Sequence, residues 1–102
     1  MEMQGKVVVV TGAGSGIGRA LAQRIAENGA EFVICTDMNA DNAAETAASI
    51  GEQASSIGLD VSDEKAIEEV VQKVESEQGR IDVFISNAGY GQAGGLDLPT
   101  AD

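Results

Sequence analysis

Four consecutive valines, Val7 to Val10, run straight into Thr11-Gly12-Ala13-Gly14-Ser15-Gly16-Ile17-Gly18. This junction restricts the fold more than any other stretch. A β-branched run without polar alternation is expected of a strand covered on both faces, here Lys6 to Thr11. The turn after it has glycine at every second position. Glycine is needed where φ must be positive or where a Cβ would block a close backbone approach. Gly16 to Asn28 reads as a helix, with Ile17, Leu21 and Ile25 spaced four apart on one face. A glycine turn at a helix start aims unpaired N–H groups outward, and the helix adds about half a positive charge. Together these features suit an anion such as a pyrophosphate.

The rest of the chain repeats the alternation. Glu31 to Thr36 and Ala54 to Leu59 read as strands, the latter weaker, and Ile81 to Ile85 as a fourth. Ala40 to Ile50 is alanine-rich and helical. Ser62 is expected to cap a third helix, whose apolar stripe is Ile67, Val70, Val71 and Val74. Gly29, Gly51 and Gly79 follow the three helices, where each can take the left-handed conformation that closes a helix. The order β-α-β-α-β-α-β predicts an α/β fold with a parallel sheet and right-handed crossovers. With 102 residues, one domain is expected. Gly89 to Asp102, with four of its residues glycine and the only proline, reads as loop.

Composition removes several functions. Seventeen acidic and six scattered basic residues leave a net charge of −11, so nucleic acid and anionic membranes are not expected partners. Aromatic residues are only 3%, which argues against base stacking. The absence of His removes His-based catalysis and most zinc sites, so no metal is expected. Cys35 has no partner for an internal disulfide and sits in a buried-type strand as a small hydrophobe. Val7 to Val10 is too short for a signal core or a membrane span. A soluble, cytoplasmic chain is expected.

Spacing within the turn distinguishes families. G-x-G-x-x-G is absent, because Ile17 and Arg19 stand where its third glycine would fall. Thr11, Gly12, Gly16 and Gly18 instead spell T-G-x-x-x-G-x-G, which resembles the cofactor signature of the short-chain dehydrogenase/reductases. That resemblance implies a Rossmann-type doubly wound parallel sheet with strand order 3-2-1-4. It implies a dinucleotide held at Thr11, Gly12, Gly14, Ser15, Gly16, Ile17 and Gly18. Asp37 follows the second strand, where a carboxylate can accept from the adenosine ribose hydroxyls and repel a 2′-phosphate. Neither Ser15 nor Met38 is basic, whereas NADP-preferring members often carry Arg or Lys at such places. NAD is therefore expected over NADP. Asp60-Val61 resembles the family's adenine contact, with Asp60 as a simple turn residue the competing reading. Ser86-Asn87-Ala88-Gly89 is similar to the family's N-N-A-G motif, with Ser86 in place of the first Asn. Arg19 can approach a phosphate or lie on a solvated helix face.

The family's hydride transfer uses a Tyr and a Lys spaced Y-x-x-x-K. The only tyrosine is Tyr90, Gly94 lies four residues on, and the last lysine is Lys73. No catalytic residue carries over, and Tyr90 reads at most as pocket lining. The chain is expected to be a single dinucleotide-binding segment over residues 1–102, truncated before the family's catalytic part and inactive alone. The residues from Gly91 on resemble the approach to the family's next long helix. The fourth strand would then be an open apolar edge, a pairing hazard. The family is usually homo-oligomeric through its later half. Two other classes stay open. One is a stand-alone dinucleotide-binding module without chemistry. The other is an S-adenosylmethionine-binding methyltransferase fragment, since Gly12 to Gly16 also matches G-x-G-x-G.

Overall fold

In the computed structural model, which describes residues 3–87, the four valines form β1 (Val7–Val10) and none is exposed. Two layers account for this. Val8 and Val10 face a cluster with Ala22, Ile25, Val33 and Ala47, while Val7 and Val9 face one with Ile34, Leu59, Val70 and Val74. Alternate residues of a strand point to opposite faces, so both clusters need apolar side chains from the same four positions.

The remaining elements are α1 (Gly16–Glu27), β2 (Phe32–Asp37), α2 (Ala40–Ile50), β3 (Ala54–Gly58), α3 (Glu64–Gln78) and β4 (Val83–Ile85). All strand pairs are parallel and the order is β3-β2-β1-β4, as expected. This is a Rossmann-like α/β sheet. Helix α1 buries Gly18, Ala22, Ile25 and Ala26, and α2 buries Ala43, Thr46 and Ala47. Such small residues let both helices lie close to the same face. Helix α3 covers the other face through Val70 and Val74. Strand β4 borders the described sheet, with Phe84 37% exposed.

Four expectations need correction. Ile17 is 79% exposed, so it is no part of the core stripe of α1. The N-cap of α3 is Asp63, whose Oδ1 accepts from the Ala66 N–H at 3.1 Å, and not Ser62. Asp60 Oδ1 holds both the N–H and the hydroxyl of Ser62 in a turn, which delays the helix by one residue. Gly79 is left-handed at φ +88°, ψ −18°, but Gly51 combines φ +113° with ψ −148° and lies outside that region. Strand β4 starts at Val83 rather than Ile81, because Asp82 inserts its carboxylate into the pairing. The Val7 N–H donates to Asp82 Oδ2 at 2.8 Å, while the Asp82 N–H donates to the Val7 carbonyl at 2.9 Å.

Arg80 fastens the same end of the sheet. Its guanidinium donates to Asp82 Oδ2 and Glu31 Oε1, both at 2.8 Å, and to the Gly5 carbonyl at 2.6 Å. The Val7 N–H is the main reason the Asp82 carboxyl lies below the usual carboxylate range, with Arg80 adding to it. A lowered folded value means that Asp82 stabilises the fold above the ordinary carboxylate pKa of about 3.9. That contribution is lost as pH falls through the lowered value. Asp82→Asn is therefore expected to unfold at lower temperature than the parent at pH 6. The gap should close as pH falls below about 4. A gap that stays constant from pH 6 to pH 2 in thermal unfolding would contradict this role.

Candidate functional site

The glycine turn lies where β1 ends, between β2 and α2 on one side and the residues after β4 on the other. Its outer limb is fixed by four hydrogen bonds. The Ala13 N–H donates to the Thr36 carbonyl at 2.8 Å, and the Gly14 N–H donates to Asp37 Oδ2 at 2.8 Å. The Ala13 carbonyl accepts from the Thr46 hydroxyl at 2.7 Å. The Gly14 carbonyl accepts from the Arg19 guanidinium at 2.8 Å.

Each glycine has a local reason. Gly12 and Gly16 have φ of +67° and +56°, where a side chain is strained. A Cβ at Gly14 would lie 2.7 Å from both Asp37 Oδ2 and the Asn42 Cβ. A Cβ at Gly18 would run into the Gly12 carbonyl oxygen and sit 2.8 Å from Asn87 Nδ2. Two of the four glycines thus serve packing between protein atoms.

Helix α1 differs from the other two at its N-terminus. Asn39 caps α2 by accepting from the Asn42 N–H at 3.0 Å, and Asp63 caps α3. Ser15, the N-cap of α1, makes no side-chain cap bond, and the first turn has no acidic residue. The amides of that turn, Gly16 to Gly18, thus face an end that no acidic residue of the helix's own first turn neutralises.

Asp37 lies beside this turn at the end of β2, half-buried, with Oδ1 accepting from the Asn39 N–H at 2.9 Å. Its neighbour Met38 is 72% exposed. The Leu59 N–H donates to the Asp37 carbonyl at 2.9 Å, which carries Asp60 and Val61 to the same end of the sheet. The turn reading of Asp60 is realised. Both its bonds to Ser62 fall on one carboxylate oxygen, and they hold its pKa below the ordinary range, the hydroxyl bond contributing most. Val61 packs half-buried against the α3 side. After β4, the Asn87 N–H donates to Thr11 Oγ1 at 2.7 Å, which draws Asn87 against Gly18. Ala88, Gly89 and Tyr90 lie outside the described residues.

So Thr11 to Gly18, Asp37, Met38, Asp60 and Asn87 converge at one end of the sheet. Cys35 is buried in β2, and burial pushes its thiol up to about 11, which keeps it in the protonated thiol form at neutral pH. Arg19 is half-exposed and reaches across to α2 rather than lying on a purely solvated face, donating to the Gly14 carbonyl and to Thr46, both at 2.8 Å, and pairing with Glu45 at 3.2 Å. Thr36 and Thr46 are fully buried members of the turn's support that motif reading missed. Among the described residues, no helix is long and apolar enough to cross a membrane. Nor do three or more His, Cys, Asp or Glu side chains there form a group that could hold a metal ion.

An open α/β sheet with a glycine turn at the carboxyl end of its first strand defines the class of nucleotide-binding Rossmann-like folds. The chain belongs to the short chain dehydrogenase family, whose pattern matches residues 6–100. It is 47% identical over 97 residues to a probable oxidoreductase EphD of Mycobacterium tuberculosis, covering 91% of this chain and 16% of that protein. It is 40% identical over 97 residues to the meso-2,3-butanediol dehydrogenase of Serratia marcescens, covering 94% and 38%. The crystal structure of a hydroxysteroid dehydrogenase from Escherichia coli superposes with a TM-score of 0.81 at 34% identity, covering 88% and 38%. The chain thus spans well under half the length of each. Members of the family bind nicotinamide cofactors.

Proposed function

We propose that this chain is the NAD(H)-binding portion of an oxidoreductase that moves hydride between a nicotinamide cofactor and an alcohol or carbonyl substrate. The observation that carries the reading is the meeting of two features at Gly14. The uncapped start of α1 offers amides to an anion, and the Asp37 carboxylate stands 2.8 Å from the Gly14 N–H. The cradle suits a dinucleotide, since at Gly16, where the helix begins, no side chain stands and the space beside the Cα is open. Amides of Ser15 to Gly18 would receive the pyrophosphate, and Asp37 the adenosine ribose hydroxyls. Asp60 and Val61 would border the adenine, with Met38 and Ile17 as exposed apolar rims. Asn87, held to Thr11 beside Gly18, would border the cofactor on the β4 side. When bound, the nicotinamide accepts or donates the hydride. The chain's own residues bind and orient, because Y-x-x-x-K is absent from the sequence. The 102 residues are therefore proposed to be non-catalytic alone.

Titration of the purified chain with NADH, NADPH and S-adenosylmethionine, followed by calorimetry, tests this. Saturable NADH binding tighter than NADPH, without turnover over a panel of alcohols, is expected. Preference for S-adenosylmethionine would overturn the family-based reading of the site. Turnover by the chain alone would overturn its assignment as non-catalytic.

A further inference from the structure

We propose that Thr46 and Arg19 are positioning residues that set the direction of the turn's phosphate-facing amide, an inference resting on the dinucleotide reading above. Thr46 is fully buried on α2. Its hydroxyl donates to the Ala13 carbonyl at 2.7 Å and accepts from Arg19 Nε at 2.8 Å. Arg19 Nη2 then donates to the Gly14 carbonyl at 2.8 Å. One continuous chain of bonds thus grips two successive carbonyls of the turn from the α2 side.

Peptide geometry converts that grip into a direction. In a trans peptide the C=O of one residue and the N–H of the next point oppositely. With the Ala13 carbonyl held by Thr46, the next N–H points away, and it reaches Asp37. With the Gly14 carbonyl held by Arg19, the Ser15 N–H is likewise turned from α2 toward the exposed rim formed by Ser15 and Gly16. Without the grip, the Gly14–Ser15 peptide is free to flip. A flipped peptide would aim a carbonyl oxygen at the anion. Arg19 also carries positive charge next to a helix start in a chain of net charge −11, although Glu45 at 3.2 Å partly balances it.

Adenosine and ADP-ribose separate this role from a merely structural one. Adenosine engages the Asp37 side of the site, whereas only ADP-ribose carries the diphosphate. Thr46→Val keeps the shape and all charges but removes the hydroxyl. It is expected to weaken ADP-ribose binding to the full chain about tenfold while moving adenosine affinity less than about twofold. Thr46→Ser should restore ADP-ribose binding. Arg19→Met keeps the half-exposed stem and should reproduce the selective loss should Thr46→Val fail to fold. ADP-ribose binding equal to the parent's in the folded variants would overturn the proposal, as would equal losses for both ligands. A parent chain that binds neither ligand would instead overturn the dinucleotide reading itself, and this inference with it.

Discussion

Replacing Gly18 with alanine is expected to disrupt the fold as well as the site. The new Cβ would run into the Gly12 carbonyl oxygen and lie 2.6 Å from the Gly12 carbonyl carbon. Gly12 cannot retreat easily. Its φ is +67°, and the next residue is fastened through the Ala13 N–H to the Thr36 carbonyl. The start of α1 would have to lift from the sheet, opening the contacts of Ala22, Ile25 and Ala26 with the valines of β1. Overpacking typically costs about 1–3 kcal/mol, and a clash with fastened backbone belongs at the top of that range, about 3 kcal/mol or occasionally more. In a domain of this size that lowers Tm by about 12 °C or more. Gly16→Ala is the control. Gly16 also has positive φ, +56°, but a Cβ there meets nothing within 4 Å. It should cost only the left-handed strain, about 1–2 kcal/mol. Thermal unfolding of the two variants checks the order. A Gly18→Ala chain as stable as Gly16→Ala would refute the close-approach account.

The contrast shows how much of the molecule is legible in its sequence. Strands and helices were readable because burial on both faces leaves an unmistakable run at Val7 to Val10, and because glycines follow each helix. Strand order followed from the resemblance of the turn, not from periodicity. Boundaries were lost wherever a side chain took over a backbone bond. Asp82 displaces the start of β4 in this way, and Asp60 displaces the cap of α3 from Ser62 to Asp63. Ile17 shares the spacing of Leu21 and Ile25 yet is 79% exposed, since spacing by four does not show which residues of a face the sheet covers. Thr46 was overlooked for the opposite reason. It shares a buried face with Ala43 and Ala47, three before and one after it, so a helical wheel would have revealed a lone polar residue there. What no wheel reveals is its partner, because the Ala13 carbonyl lies 33 positions away.

Asp37→Ala is expected to weaken NADH binding ten- to a hundredfold on the proposed reading, since a hydrogen bond to a charged group contributes about 1.5–3 kcal/mol. Two losses are mixed in that figure. The ribose would lose its acceptor, and the Gly14 N–H would lose the oxygen that now holds it at 2.8 Å. Asp37→Asn separates them. An amide oxygen can keep the Gly14 N–H satisfied while the charge disappears. NADH should then weaken less than in the alanine variant, because the turn keeps its shape. NADPH should respond in the opposite sense. Its 2′-phosphate would sit beside the carboxylate, and like charges about 4 Å apart at an effective dielectric near 20 repel by up to ~4 kcal/mol. No basic side chain at Ser15 or Met38 offsets that repulsion. Removing the charge should therefore shift the NADPH-to-NADH affinity ratio about tenfold or more toward NADPH in both variants. Calorimetric titration of parent and both variants with each cofactor measures the ratio directly. A ratio unchanged in both would mean that Asp37 serves the turn alone. In that case the carboxylate would be a support for Gly14, as Thr46 is for Ala13, and cofactor choice would lie elsewhere in the chain.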